Sequence, residues 1–195
     1  MNPIPQSGSL FVVSAPSGAG KTSLVRALLG EQPNLRLSVS CTTRAARPGE
    51  VDGIDYEFLD RAEFTRRRDA GDFLEWAEVH GNRYGTLRST VEERLAEGVD
   101  VILEIDPQGA FQVKEQMPES VLVFITAPSL SELERRIRHR GAETDEQVRT
   151  RLETAERELR LVGTYDHVVE NDDVVMATER LAGIVESHRP YEGCR

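Results

Sequence analysis

The chain has 195 residues, 38% hydrophobic and 30% charged, the balance of one globular domain of ordinary size. Its 34 Asp and Glu against 24 Lys and Arg leave a net charge of −10, which argues against nucleic acid as a general partner because backbone binding needs a basic face. No apolar run approaches the roughly 18 residues of a membrane span, and two cysteines, Cys41 and Cys194, give neither a disulfide framework nor a metal spacing, so a reducing cytoplasm is expected.

Residues 1–9 lack the basic flank and apolar core of a signal peptide and are expected to form a disordered tail. Leu10 to Ser14 is an apolar, β-branched run long enough for one buried strand. Ala15-Pro16-Ser17-Gly18-Ala19-Gly20-Lys21-Thr22-Ser23 follows, then a helical stripe of Leu24, Val25, Leu28 and Leu29 with Gly30 at the expected C-cap. Strand, glycine loop, Lys-Thr and helix together make a phosphate-binding loop, although Ala15 stands where the pattern begins with Gly. Gly18 and Gly20 let successive N–H groups curl around a phosphate, and the helix N-terminus adds positive potential. Lys21 can reach the terminal phosphates and the Thr22 hydroxyl can ligate Mg²⁺. The bland alternative, an ordinary Gly-rich turn, is disfavoured by Gly-Lys-Thr at a strand–helix joint.

Leu35 to Ser40 alternates as a strand, and Ala45 to Glu50 forms a loop after Arg44 that carries Arg47. A strand is expected over Ile54–Leu59, carrying Tyr56, and a helix over Arg61–Ala70 with Asp60 as N-cap. Phe73–Val79 reads as a strand with Glu75 facing inward between Phe73 and Ala77. A buried carboxylate there needs a donor, from a neighbouring arginine or from a ligand. His80-Gly81-Asn82 turns into Arg83-Tyr84-Gly85-Thr86, and Thr86 is expected to cap a helix over 87–97. Short strands and loops through residues 41–86 suggest a lobe inserted beside the main sheet. Arg44 and Arg47 with Tyr56 and Tyr84 could cradle an anion, though on spacing alone a solvated loop explains them as well.

A second buried strand over Val99–Asp106 ends in Glu104 and Asp106, two apart and on one face, the position of a metal-side carboxylate in phosphate-loop proteins. Pro107 opens a helix to Gln116, and Val121–Ile125 is a third buried strand. Ser129 or Ser131 caps the next helix, which carries Arg136 and Arg140 one turn apart. Thr144 to Gln147 is a capping box opening a long polar helix that carries Arg151. The three arginines fit a solvated face, or a lid that closes cationic charge over phosphates. A strand over Asp166–Glu170 and a helix begun by Asp172 or Asp173 finish the chain, the helix showing Val174, Thr178, Leu181, Val185 and His188 on one face. Strands alternating with helices predict an α/β fold with a parallel sheet and ligands at its C-terminal strand ends.

Read together, these segments resemble guanylate kinase. The resemblance runs from Leu10 to about His188 and rests on the phosphate loop, Ser38–Arg44, Gly49–Tyr56, Phe73-Leu74-Glu75-Trp76-Ala77, Tyr84-Gly85-Thr86, Glu104–Gly109 and Asn171-Asp172-Asp173. The departures are Ala15 and Pro107. The resemblance implies a P-loop NTPase core (10–39, 87–129, 161–190), a GMP-binding lobe (40–86) and a helical lid (130–160). It implies that Ser40, Glu75 and Thr86 contact guanine, and that Arg44, Arg47, Tyr56 and Tyr84 hold the GMP phosphate. Glu104 and Asp106 would lie near the acceptor, with Thr22 and Asp106 at Mg²⁺. Arg136, Arg140 and Arg151 would clamp ATP phosphates held by residues 15–23, and Asn171 would lie near adenine. ATP and GMP are then the substrates of a cytoplasmic monomer or small homo-oligomer that works without a covalent intermediate.

Three rivals remain: a kinase of the same fold acting on another phosphate acceptor such as a ribose bisphosphate, a peptide-binding scaffold module, and a switch GTPase. The first has little use for a Glu75–Ser40 base pocket. The second typically loses the phosphate loop, and the third leaves the Arg44–Arg47 lobe without purpose.

Overall fold

The computed structural model describes residues 7–79, 81–139 and 144–189. The first sheet is built from β1 (Leu10–Ser14), β2 (Leu35–Leu37), β7 (Asp100–Glu104), β8 (Val121–Thr126) and β9 (His167–Glu170), all parallel in the order β2-β7-β1-β8-β9. The second contains β3 (Cys41–Thr42), β4 (Glu57–Phe58), β5 (Phe73–Val79) and β6 (Asn82–Leu87) in the order β4-β3-β6-β5, with antiparallel β3–β6 and β5–β6 pairs. The helices are α1 (Lys21–Glu31), α2 (Arg61–Ala70), α3 (Arg88–Ala96), α4 (Pro107–Gln116), α5 (Leu130–His139), α6 (Asp145–Leu159) and α7 (Val174–Ser187). This is the α/β architecture expected from the alternation of buried strands and helices.

Period-two alternation in β1 separates two cores. Phe11 and Val13 pack with Leu24, Val25 and Leu28 of α1 and with Leu181 and Val185 of α7. Leu10 and Val12 pack on the other face with Val91, Leu95, Ala110 and Val113. A third, smaller cluster under the second sheet joins Cys41, Phe64 and Phe73, whose phenyl rings stack at 4.5 Å. Cys41 is thus a packed residue, and burial pushes its thiol up to about 12.

Several local expectations are corrected. Helix α1 continues through Gly30 and is capped at Gln32. The strand expected over Leu35–Ser40 stops at Leu37, and of Ile54–Leu59 only Glu57–Phe58 forms a strand, with Tyr56 in an isolated bridge to Asp52, because Ile54 is 69% exposed and has no core to face. Arg83–Thr86 belongs to β6, so Thr86 is a strand residue and Leu87 takes the N-cap of α3. On α7, Asp173 accepts from Val175 and Met176, and the buried stripe begins at Ala177 rather than the exposed Val174. Asp60, Ser129 and Thr144 cap as their residue types demand.

The expected N-terminal tail ends earlier than Ser9. Gly8 donates its N–H to Leu95, and Ser9 donates to Asp100. A Cβ on Gly8 would lie 2.0 Å from the Val99 carbonyl, so only glycine can run so close. Residues 1–6 of that tail lie outside the described residues.

Candidate active site

The C-terminal ends of β1 and β7 bring the phosphate loop and the strand-end acids together. Gly18 and Gly20 both have φ of +90°, the left-handed conformation that lets the loop curl before α1. Lys21 Nζ donates to the Ile105 carbonyl at 2.9 Å. Burial pushes its ammonium below the ordinary lysine value, and Glu104, Asp106 and Glu158 oppose that shift. The Thr22 hydroxyl donates to Glu104. Asp106 accepts from Gly109 N at 2.8 Å as the N-cap of α4.

Arg136 and Arg151 both reach the loop. Arg136 donates to the Asn171 carbonyl at 2.9 Å and to Ala19 O at 3.5 Å, while its Nε bonds Glu132. Arg151 donates twice to Ser17 Oγ, at 2.9 and 2.5 Å. Arg140, the third arginine expected here, lies outside the described residues, as does His80. The Asn171 side chain is 3% exposed and donates to Ala19 O at 2.7 Å.

Across from the loop, a cleft of about 310 Å³ is lined by Lys21, Ser40, Tyr56, Glu75, Tyr84, Glu104 and Asp106 among others. Glu75 is 4% exposed and accepts from the Thr86 hydroxyl at 2.6 Å. Burial raises its carboxyl to about 7 against the opposing Thr86 bonds, and Asp106 pushes the same way as burial. Its floor is Gly109, where a Cβ would stand 2.7 Å from Glu75 Oε2. Arg44 is paired at 2.9 Å through both terminal nitrogens with Glu50, and lies 5.3 Å from the Tyr56 ring centroid. Glu50 also accepts from Arg47 N at 2.7 Å, so one acid, held below its ordinary value by these donors, organises the basic loop. The rings of Tyr56 and Tyr84 are 6.1 Å apart.

The cleft therefore joins, on one continuous surface, the lysine end of the glycine-rich loop and a buried carboxylate in the second sheet. The residues of the chain from 7 to 188 match the family model described as Guanylate kinase. The chain belongs to the guanylate kinase family. It is 50% identical over 182 residues to the guanylate kinase of Chromobacterium violaceum, covering 93% of this chain and 87% of that one. Identity is 52% over 182 residues with the guanylate kinase of Symbiobacterium thermophilum, covering 93% and 86%. The crystal structure of guanylate kinase from Anaplasma phagocytophilum superposes with a TM-score of 0.78 at 37% identity, covering 97% of this chain and 90% of that one.

Three features of this guanylate kinase family site were not read from the sequence. Glu158, half-buried on α6 and close to Lys21 and Asp106, has its carboxyl raised to about 7 by burial. Its signal was available, since it lies two turns beyond Arg151 on the same face of the helix. Glu50 as the partner of Arg44 is the second. Gly109, which leaves room for Glu75, is the third, and a lone glycine inside a helix signals a close approach.

Proposed function

We propose that the chain transfers the γ-phosphoryl group of ATP to GMP, giving ADP and GDP, reversibly and without a covalent intermediate. The observation that carries this reading is the single cleft with Lys21 at one end and the buried Glu75–Thr86 pair at the other. Guanine offers two adjacent donors, N1–H and the N2 amine, to the two oxygens of an ionised carboxylate. Ser40 and Thr86 complete the base pocket in this reading. Arg44, Arg47, Tyr56 and Tyr84 take the GMP phosphate, with Arg44 released from Glu50 or sharing with it.

Residues 15–23 take the ATP phosphates, and Lys21 exchanges the Ile105 carbonyl for the terminal phosphates. Arg136, Arg140 and Arg151 add positive charge there from a lid over 130–160, and 40–86 is the GMP-binding lobe. Phosphoryl transfer needs charge neutralisation and in-line placement more than a protein nucleophile, and these residue types supply that. The Thr22 hydroxyl beside Glu104, with Asp106 two residues on, is a set of hard oxygen donors suited to Mg²⁺. When bound with ATP, the ion would neutralise charge developing on the transferred group.

The reading is tested by following ADP release with GMP, AMP, CMP and UMP in turn. GMP alone is expected to give rapid turnover. Turnover with another acceptor and none with GMP would return the chain to the rival kinases of this fold.

A further inference from the structure

Asn171 follows β9 and is locked from three sides. Its backbone N–H donates to the Thr126 carbonyl at 2.7 Å, its own carbonyl accepts from Arg136 at 2.9 Å, and its side-chain amide donates to Ala19 O at 2.7 Å. Asn171 as a residue is 3% exposed, and its amide nitrogen is committed to the Ala19 carbonyl. Gly20 is pressed against it: a Cβ there would lie 2.4 Å from the Asn171 amide nitrogen.

The Ala19 carbonyl and the Gly20 N–H belong to one planar trans peptide and point in opposite directions. Holding the carbonyl outward therefore holds the N–H inward, toward the loop's interior where a phosphate sits. Arg136 donates to this same carbonyl at 3.5 Å and to that of Asn171, so the loop and the arginine share one anchor. We propose that Asn171 is a positioning residue, whose amide aims the Gly20 N–H at the donor phosphates and whose backbone docks Arg136. This role is separate from the contact with adenine that the resemblance implies for Asn171, and it rests on the ATP-binding reading of the loop.

The test uses Asn171→Ala and the isosteric Asn171→Asp, which keeps the volume and removes the donor. Rates are measured at saturating GMP with either ATP or ITP as phosphoryl donor. Hydrogen exchange of the loop peptide is followed in ligand-free protein, with GMP binding as a control for folding. Expected is a loss of about 10–100-fold in kcat/KM, because small misplacements of a reacting group cost that much. The loss should be equal, within about threefold, for both donors, with faster exchange in the loop and GMP affinity within about twofold of wild type. A loss with ATP that is absent with ITP would overturn the proposal, because Asn171 would then be reading the adenine base. Unchanged loop exchange in Asn171→Asp would overturn it too. If the alanine variant does not fold, the aspartate variant carries the test. Wild-type turnover in the same experiment judges the kinase reading separately, since loop exchange in ligand-free protein needs no turnover.

Discussion

Glu75 faces a conflict between stability and chemistry. In the ligand-free protein its carboxyl sits at about 7, raised by burial, whereas pairing with two guanine donors requires it ionised. On the proposed reading, GMP binding is therefore expected to expel a proton below neutrality. The KM for GMP is predicted to rise as pH falls below about 7, approaching tenfold per unit, and to level off above it. The profile of Glu75→Gln, which keeps only the phosphate's own ionisation, is the baseline; identical profiles would contradict the assignment. The same shift bears on folding. A carboxyl raised in the folded state costs stability as pH climbs from its unfolded value past 7, on the order of 3 kcal/mol at full ionisation. Glu75→Gln should therefore melt higher than wild type at pH 8 without nucleotide and show no such gain at pH 4, in calorimetry at both pH values. Lys21 makes the opposite case, a cation held in a buried place beside Glu104 and Asp106. Lys21→Met should lower kcat by about 10²–10³-fold, the usual cost of losing one preorganised charge, and leave GMP affinity unchanged by titration calorimetry.

Helices α5 and α6 belong together as an element. Each contributes an arginine to the phosphate loop, Arg136 to the Ala19 carbonyl and Arg151 to Ser17, and α5 packs close enough that a Cβ on Gly18 would stand 3.0 Å from Ile137. With ATP and GMP both bound, those arginines gain phosphate partners, and residues 130–160 should resist proteolysis more than with either ligand alone. Cleavage indifferent to ligands would leave Arg136 and Arg151 as loop braces only. At this scale the sequence is legible in proportion to burial. The run from Leu10 to Ser14 and the stripe Leu24, Val25, Leu28 announce β1 and α1 because both bury a continuous face. Strands β3 and β4, two residues each, carry too few positions for any period to register. Thr86 looked like a helix cap because threonine caps well. Pairing with Glu75 across the sheet outweighs that preference, and no local pattern records such a cross-strand bond. The roles of Lys21 and Thr22 follow from a local motif, whereas the Glu50–Arg44 pair and the Gly109 floor arise only when distant segments meet.

The two sheets are fastened by α4. Gln112 donates to the Trp76 carbonyl at 3.0 Å and accepts from its N–H at 3.2 Å, and Gln116 donates to the Leu74 carbonyl at 2.7 Å. The edge of β5 is thus paired by side chains of a helix that Asp106 caps, so strand-end acid and base pocket are set by one rigid element. Gly109 on that helix lies against the Glu75 carboxylate. Gly109→Ala should raise the KM for GMP about tenfold while the KM for ATP stays near wild type, since one methylene-sized intrusion in a tight site costs about 1–3 kcal/mol; equal effects on both substrates would mean that α4 has moved as a whole. The central claim is that one cleft reads guanine at Glu75 and delivers phosphoryl at Lys21. Steady-state ADP release by wild type and Glu75→Gln, with GMP and AMP compared side by side, tests it most directly. The account predicts a wild-type preference for GMP of roughly 10⁴ or more, because adenine would leave Glu75 buried and unpaired. It predicts a loss of about 10²-fold or more in GMP efficiency for the variant, from charge-assisted bonds of about 1.5–3 kcal/mol each, with the KM for ATP near wild type. A variant that keeps GMP efficiency within a few-fold of wild type would contradict it.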